Sequence, residues 1–255
     1  MNCKISSLHF SPIKSLSFQS LNSCLIKKNV GIEDDRIYAF SRNLNSEEAA
    51  LIEKDPNKRE LINYLTLKNS PFLNRYNFNL DNENITIIKD GNEIIKLPKN
   101  DREGLSKKLL ELEPKIPKPV YLLKNHLHPF FDTTHSEKIS NTISLINLNS
   151  IKDFEFKTNK TIEFERFRGN IYVKNLKAWV ERLWIGKILK INDLDFQVLS
   201  HIPRCSATNL KINSEISDIN LPIQLKKTYG HMDMGIYLIP LQDGQISIED
   251  NIEID

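Results

Sequence analysis

The chain has 255 residues, 40% of them hydrophobic and 27% charged, with a formal net charge of +2. That composition is ordinary for a soluble globular protein and long enough for one large all-β domain or two smaller ones. The near-balance of charge leaves no concentrated basic footprint for nucleic acid, and no run of 18 or more apolar residues offers a membrane span or anchor.

The N-terminal stretch MNCKISSLHFSPIKS alternates from the start and reads as a first strand, not as a signal peptide. Short apolar runs follow at 16–18, 24–30 and 36–41. A helix is expected over 57–66. In ENITIIKDGNEIIKLP the pair Asp90-Gly91 separates two Ile-rich arms, a hairpin signal because both residues tolerate positive φ. DREGLSKKLLELEP predicts a helix capped by Asp101 and stopped before Pro114. Pro114, Pro117 and Pro119 then mark a connector into a strand at 119–124. Beyond it, 142–154 reads as a strand end followed by a helix, while 176–184 is too short to settle by periodicity. The remainder is strands, with Asn192-Asp193 as one turn. The expected fold is mainly β with short helices, α+β in class, divided into an N-terminal β-barrel over 1–115 and a second β-barrel over 119–255.

Cys3, Cys24 and Cys205 are too few and too scattered for a disulfide framework, a CxxC zinc site or a four-cysteine cluster. A reducing cytoplasm is the expected compartment. Cys205 follows Pro203 and Arg204 where a strand-like run stops. It is either an inert buried thiol or a thiolate that the neighbouring guanidinium favours for a soft metal or a substrate. Lys14, Arg36, Arg166 and Arg168 each lie among apolar residues. Outward-facing alternation accounts for any one of them, whereas together they can form an anion pocket. His126 and His128, with His135 close by, form a weak metal pattern better suited to a loop. Asp34 and Asp35, as neighbours on a strand, would point to opposite faces. No G-x-S-x-G or H-E-x-x-H motif supports a common hydrolase.

Four stretches, in order, resemble the MOSC family with its N-terminal MOSC-associated β-barrel, and in particular the amidoxime-reducing components and their bacterial counterparts. SPIKSL is similar to the opening Y-P-V-K-S. GIEDDRIYAF is similar to G-x-x-G-D-R, with Asp34 at the second glycine. FERFRGNIYV is similar to R-F-R-P-N, with Gly169 at the proline. HIPRCSATNL is similar to C-x-R-C-x-x-T, keeping Arg204, Cys205 and Thr208. The ending fits G-x-I-x-x-G-D-x-V, with Glu249 at the second glycine.

The resemblance implies molybdenum cofactor, a pterin dithiolene bearing a phosphate. It makes Cys205 the metal ligand and catalytic residue, and it places Lys14, Ser15, Arg36, Arg168, Asn170 and Arg204 in cofactor binding. It further implies reduction of a small N-hydroxylated substrate with electrons from a separate donor protein. The alternatives are a non-redox MOSC protein that carries or binds sulfur or cofactor, and a degenerate barrel that binds none.

Overall fold

The structure is a computed structural model that describes residues 2–130 and 141–254. Its principal element is an eight-stranded mixed sheet. In spatial order the strands are Ile252–Ile254, Ile188–Ile191, Leu194–Pro203, Asp233–Pro240, Ile143–Asn147, Ile171–Lys174, Lys4–Phe10 and Gln19–Leu21. Only the Ile143–Asn147 and Ile171–Lys174 pair runs parallel. Its inward face carries Ile5, Leu8, Leu145, Ile171, Leu189, Phe196 and Ile236, all at 0% exposure. A second apolar core lies under the Tyr76–Leu80, Asn84–Lys89 and Asn92–Pro98 meander and the helix Arg102–Leu112.

The fold is mixed α+β as expected, mainly strands with four α-helices among the described residues, but the two expected barrels are not found as closed barrels. No continuous ladder closes the large sheet. The strand Lys4–Phe10 meets the chain at the start of Ile252–Ile254 through one antiparallel bridge, Lys4 with Asn251, flanked by Ile5 N–H to Asp250 O at 3.0 Å and Ile252 N–H to Cys3 O at 2.9 Å. Pairing also crosses the proline-rich connector. The strand Lys4–Phe10 joins Ile171–Lys174, Ser23–Lys27 joins Gly244–Ser247, and Tyr38–Phe40 joins Leu122–Lys124.

Local rules hold where turn and cap chemistry decide. Asp90 and Gly91 both take positive φ, 52° and 78°, as their two-residue hairpin requires. Asp101 caps the helix Arg102–Leu112 by accepting from Gly104 N–H at 2.9 Å. The helix expected over 57–66 is absent. Residues 56–58 and 61–63 form single 3-10 turns, and the chain at 64–65 pairs with the strand edge at 40–41. The helix of this region is Ser46–Lys54, started by a capping box: Asn45 accepts from the Glu47 and Glu48 N–H groups, and Glu48 accepts from Asn45 N–H.

Glu181 is fully buried in the 3-10 turn Val180–Trp184. It accepts from Ser150 Oγ at 2.6 Å and Asn147 Nδ2 at 2.9 Å, and burial pushes its carboxyl up. The folded chain therefore binds this proton more tightly than the unfolded one. The contribution to stability is full below the ordinary carboxylate range and is lost as pH rises through the raised value. Urea midpoints of Glu181→Gln should equal or exceed wild type at pH 7 and lose that margin at pH 4.

Candidate functional site

Four turns and one strand end converge on a pocket of about 300 Å³. Lys14 and Ser15 lie in the turn after the first strand, and Lys14 N–H donates to Tyr38 O at 2.8 Å. Arg36 ends the turn after Gly31–Ile32, with its N–H donating to Ser11 O at 2.7 Å. Arg168 terminates the 3-10 turn Phe164–Phe167. Cys205 follows the strand Leu194–Pro203, whose register slips at Val198/Ser200 and again at His201/Pro203. These irregularities and the proline end the pairing and turn the next residues outward. Ser15, Arg36 and Arg168 all take left-handed φ, at 74°, 54° and 51°. Such backbone strain in non-glycine residues clusters where a site must hold a particular geometry.

Lys14, Arg36, Lys68, Arg168 and Arg204 line the pocket with Cys205, and none of the lining residues is acidic. Lys14 and Arg36 are buried, which rules out the outward-facing alternative for both. Lys14 Nζ donates to Phe130 O at 3.0 Å, and Arg168 Nη2 donates to Leu16 O at 2.6 Å. The Arg36 and Arg168 guanidiniums both face the Phe18 ring, 5.0 and 4.8 Å from its centroid. Burial first, and then the Arg36 charge, push Arg168 down to about 10. A pocket that crowds cations in this way can hold an anion, which relieves their repulsion.

Behind the cations stands a carboxylate that sequence reasoning dismissed. Asp35 lies in a turn, not on a strand, and its buried carboxylate pairs with Arg36 and accepts from Ser11 N–H at 2.8 Å and Asn170 Nδ2 at 3.1 Å. Asn170 is fully buried and does not line the pocket. Its amide joins Asp35 to His9 O, and its Oδ1 accepts from Ser144 Oγ at 2.8 Å. Arg204 reaches the pocket wall, but its guanidinium donates to Phe167 O at 2.7 Å and Met234 O at 2.8 Å, pinning the loop that carries Cys205. Thr208 closes the same loop by donating its hydroxyl to Cys205 O at 2.8 Å.

Cys205 is exposed, unlike the other two thiols. Burial pushes Cys3 up to about 11 and Cys24 up to about 12, which keeps both in the inert thiol form. Arg166 is buried between Glu163 at 2.6 Å and Asp218 at 2.5 Å and lies outside this pocket. His126 and His128 lie in a bend. His126 is exposed beside Asp34 at 3.5 Å, and His135 lies outside the described residues. Among the described residues no group of three His, Cys, Asp or Glu side chains is placed to hold a metal ion by itself.

The departures from the motifs have local causes. Asp34 and Glu249 stand at motif glycines and take φ of 62° and 68°, a region that glycine occupies without steric penalty. Asp34 does not line the pocket, so its charge is directed elsewhere. Gly169 replaces a proline, and its N–H donates to the Tyr172 hydroxyl at 2.9 Å, a bond that proline cannot make.

A segment of 94 residues is 30% identical to mitochondrial amidoxime reducing component 2 of Rattus norvegicus, covering 37% of this chain and 27% of that protein, so the chain matches about a quarter of the relative's length. Among solved structures, YUAD protein from Bacillus subtilis aligns over 100% of this chain and 96% of its own, with a TM-score of 0.46 and 11% identity. YiiM from Geobacillus stearothermophilus aligns over 44% of this chain and 53% of its own, with a TM-score of 0.35 and 19% identity. No helix among the described residues is long and apolar enough to cross a membrane. The family model for the MOSC domain matches residues 126–253, half of the sequence, and the chain belongs to the MOSC domain family.

Proposed function

We propose that this pocket holds molybdenum cofactor and that the protein reduces N-hydroxylated compounds with electrons from a separate donor protein. The observation that carries this reading is the donor set: one exposed thiol and five cations around a pocket without a carboxylate. A soft sulfur ligand suits molybdenum, and Lys and Arg donors suit a phosphate, so the residues fit the group. The cofactor, when bound, supplies two-electron reductive removal of oxygen.

The chain's own contributions divide by position. Cys205 provides the thiolate ligand. Lys14, Ser15, Arg36 and Arg168 bind the phosphate and pterin. Arg204 and Asn170 act one layer back, Arg204 by fixing the Cys205 loop and Asn170 by fixing Asp35 and through it Arg36. The similarity to an amidoxime reducing component supports N-hydroxylated substrates. The same reading groups the second core, under the meander, as a unit of its own apart from the unit of the large sheet, the two exchanging strands across the connector. It places the protein in the cytoplasm, where three unpaired thiols persist.

Cofactor-loaded protein given an artificial electron donor should reduce an aromatic amidoxime to the amidine, and Cys205→Ala should not. Stoichiometric cofactor without turnover of any amidoxime or hydroxylamine would overturn the reductase and assign a carrier.

A further inference from the structure

Thr66, Leu67 and Lys68 form part of the pocket wall, and no motif in the sequence singled them out. Thr66 is only 4% exposed, yet its Oγ1 has no hydrogen-bond partner. A desolvated, unpaired hydroxyl is costly, and folded proteins satisfy nearly all such groups. The surrounding turn is held by other hydrogen bonds. Thr66 N–H donates to Asn69 Oδ1 at 2.8 Å, and Thr66 O accepts from Ser70 N–H at 2.7 Å. Asn69 Nδ2 donates to Tyr64 O at 2.9 Å, and Ser70 Oγ donates to Asn69 Oδ1 at 2.9 Å. None of these bonds uses the Thr66 hydroxyl. Ser15 Oγ donates to Leu65 O at 3.3 Å, which sets the turn directly beside the Lys14-Ser15 pair. Lys68, exposed, lines the same pocket.

We infer that Thr66 and Lys68 are ligand-contacting residues, with the Thr66 hydroxyl donating to an oxygen of the phosphate group that Lys14 and Arg36 hold and Lys68 placing its ammonium over the outer side. A buried hydroxyl among cations is a donor waiting for an acceptor, and a phosphate brings several. This rests on the anion reading of the pocket and not on molybdenum.

The test uses cofactor-free full-length protein titrated calorimetrically with inorganic phosphate. Thr66→Val, which keeps the shape and removes the hydroxyl, should weaken phosphate binding by about tenfold, the loss of one charge-assisted hydrogen bond. Thr66→Ser should stay within about threefold of wild type because it keeps the donor. Without ligand, Thr66→Val should melt at or above the wild-type temperature, since it removes an unpaired buried polar atom. Lys68→Ala should also weaken binding, by a factor that shrinks at high salt.

Equal phosphate affinity of Thr66→Val and wild type would overturn the inference. So would a lower unliganded melting temperature for Thr66→Val with affinity intact, or a wild type that binds no phosphate. Thr66-dependent phosphate binding in a protein that never acquires molybdenum or pterin would uphold this inference while overturning the cofactor reading.

Discussion

Asp35→Ala should cost about 3–5 kcal/mol of unfolding free energy, the usual penalty for removing one partner of a buried ion pair. The carboxylate is buried and meets the Arg36 guanidinium, Ser11 N–H and Asn170 Nδ2 at once. Its loss removes the carboxylate that meets the buried Arg36 guanidinium, takes the acceptor from Ser11 N–H and leaves Asn170 Nδ2 with His9 O, with Arg168 adding like charge nearby. Asp35→Asn keeps the shape and part of the hydrogen bonding, so it should fall between Ala and wild type. The neighbour provides the control. Asp34 has a half-exposed side chain and a left-handed backbone, so Asp34→Gly should leave stability unchanged or raise it by up to ~1 kcal/mol. Urea unfolding of the four proteins decides the matter, and equal midpoints for Asp35→Ala and wild type would remove Asp35 from the account.

Cys205→Ala should show the opposite profile, with stability near wild type and molybdenum content reduced by about 100-fold, at or beyond the upper end of what loss of a supporting residue does at metal sites. The side chain is exposed, and the loop is held by other groups, namely the Arg204 guanidinium and the Thr208 hydroxyl. Surface changes away from caps, cores and networks usually move stability by less than ~0.5 kcal/mol. Pterin should decline less than metal, because the cations that hold the phosphate remain. Equal loss of both would mean that the thiol holds the whole cofactor in place. Unchanged molybdenum would exclude Cys205 as its ligand.

Much of this was legible in the sequence because it depends on local chemistry. The Asp90-Gly91 hairpin, the Asp101 cap and the proline stop before Cys205 need only neighbouring residues. The pocket residues were legible through motif order: Lys14, Ser15, Arg36, Arg168, Arg204 and Cys205 are separated by up to 191 positions, and they line one pocket. What the sequence concealed depends on tertiary pairing. Residues 57–66 carry helical periodicity, but pairing of 64–65 with the strand edge at 40–41 overrides it. The first strand belongs to the sheet of the C-terminal half, and no local signal in KISSLHF says so. Asp35 was dismissed on the assumption of a strand. In the turn that actually forms, adjacent residues diverge, one buried behind Arg36 and the other beside His126. Asn170 was expected in cofactor binding, and it lies behind the pocket wall, bonded to Asp35. Thr66 carried no signal at all, since an unpaired hydroxyl is visible only once its surroundings are known.

The central claim is that cations and a thiol gathered from five segments form a molybdenum-cofactor site. The most direct test is the molar ratio of molybdenum and released pterin to wild-type chain, purified from a host that demonstrably loads another MOSC protein. The account predicts both ratios near one. Absence of both would contradict it, leaving an anion pocket with a different ligand.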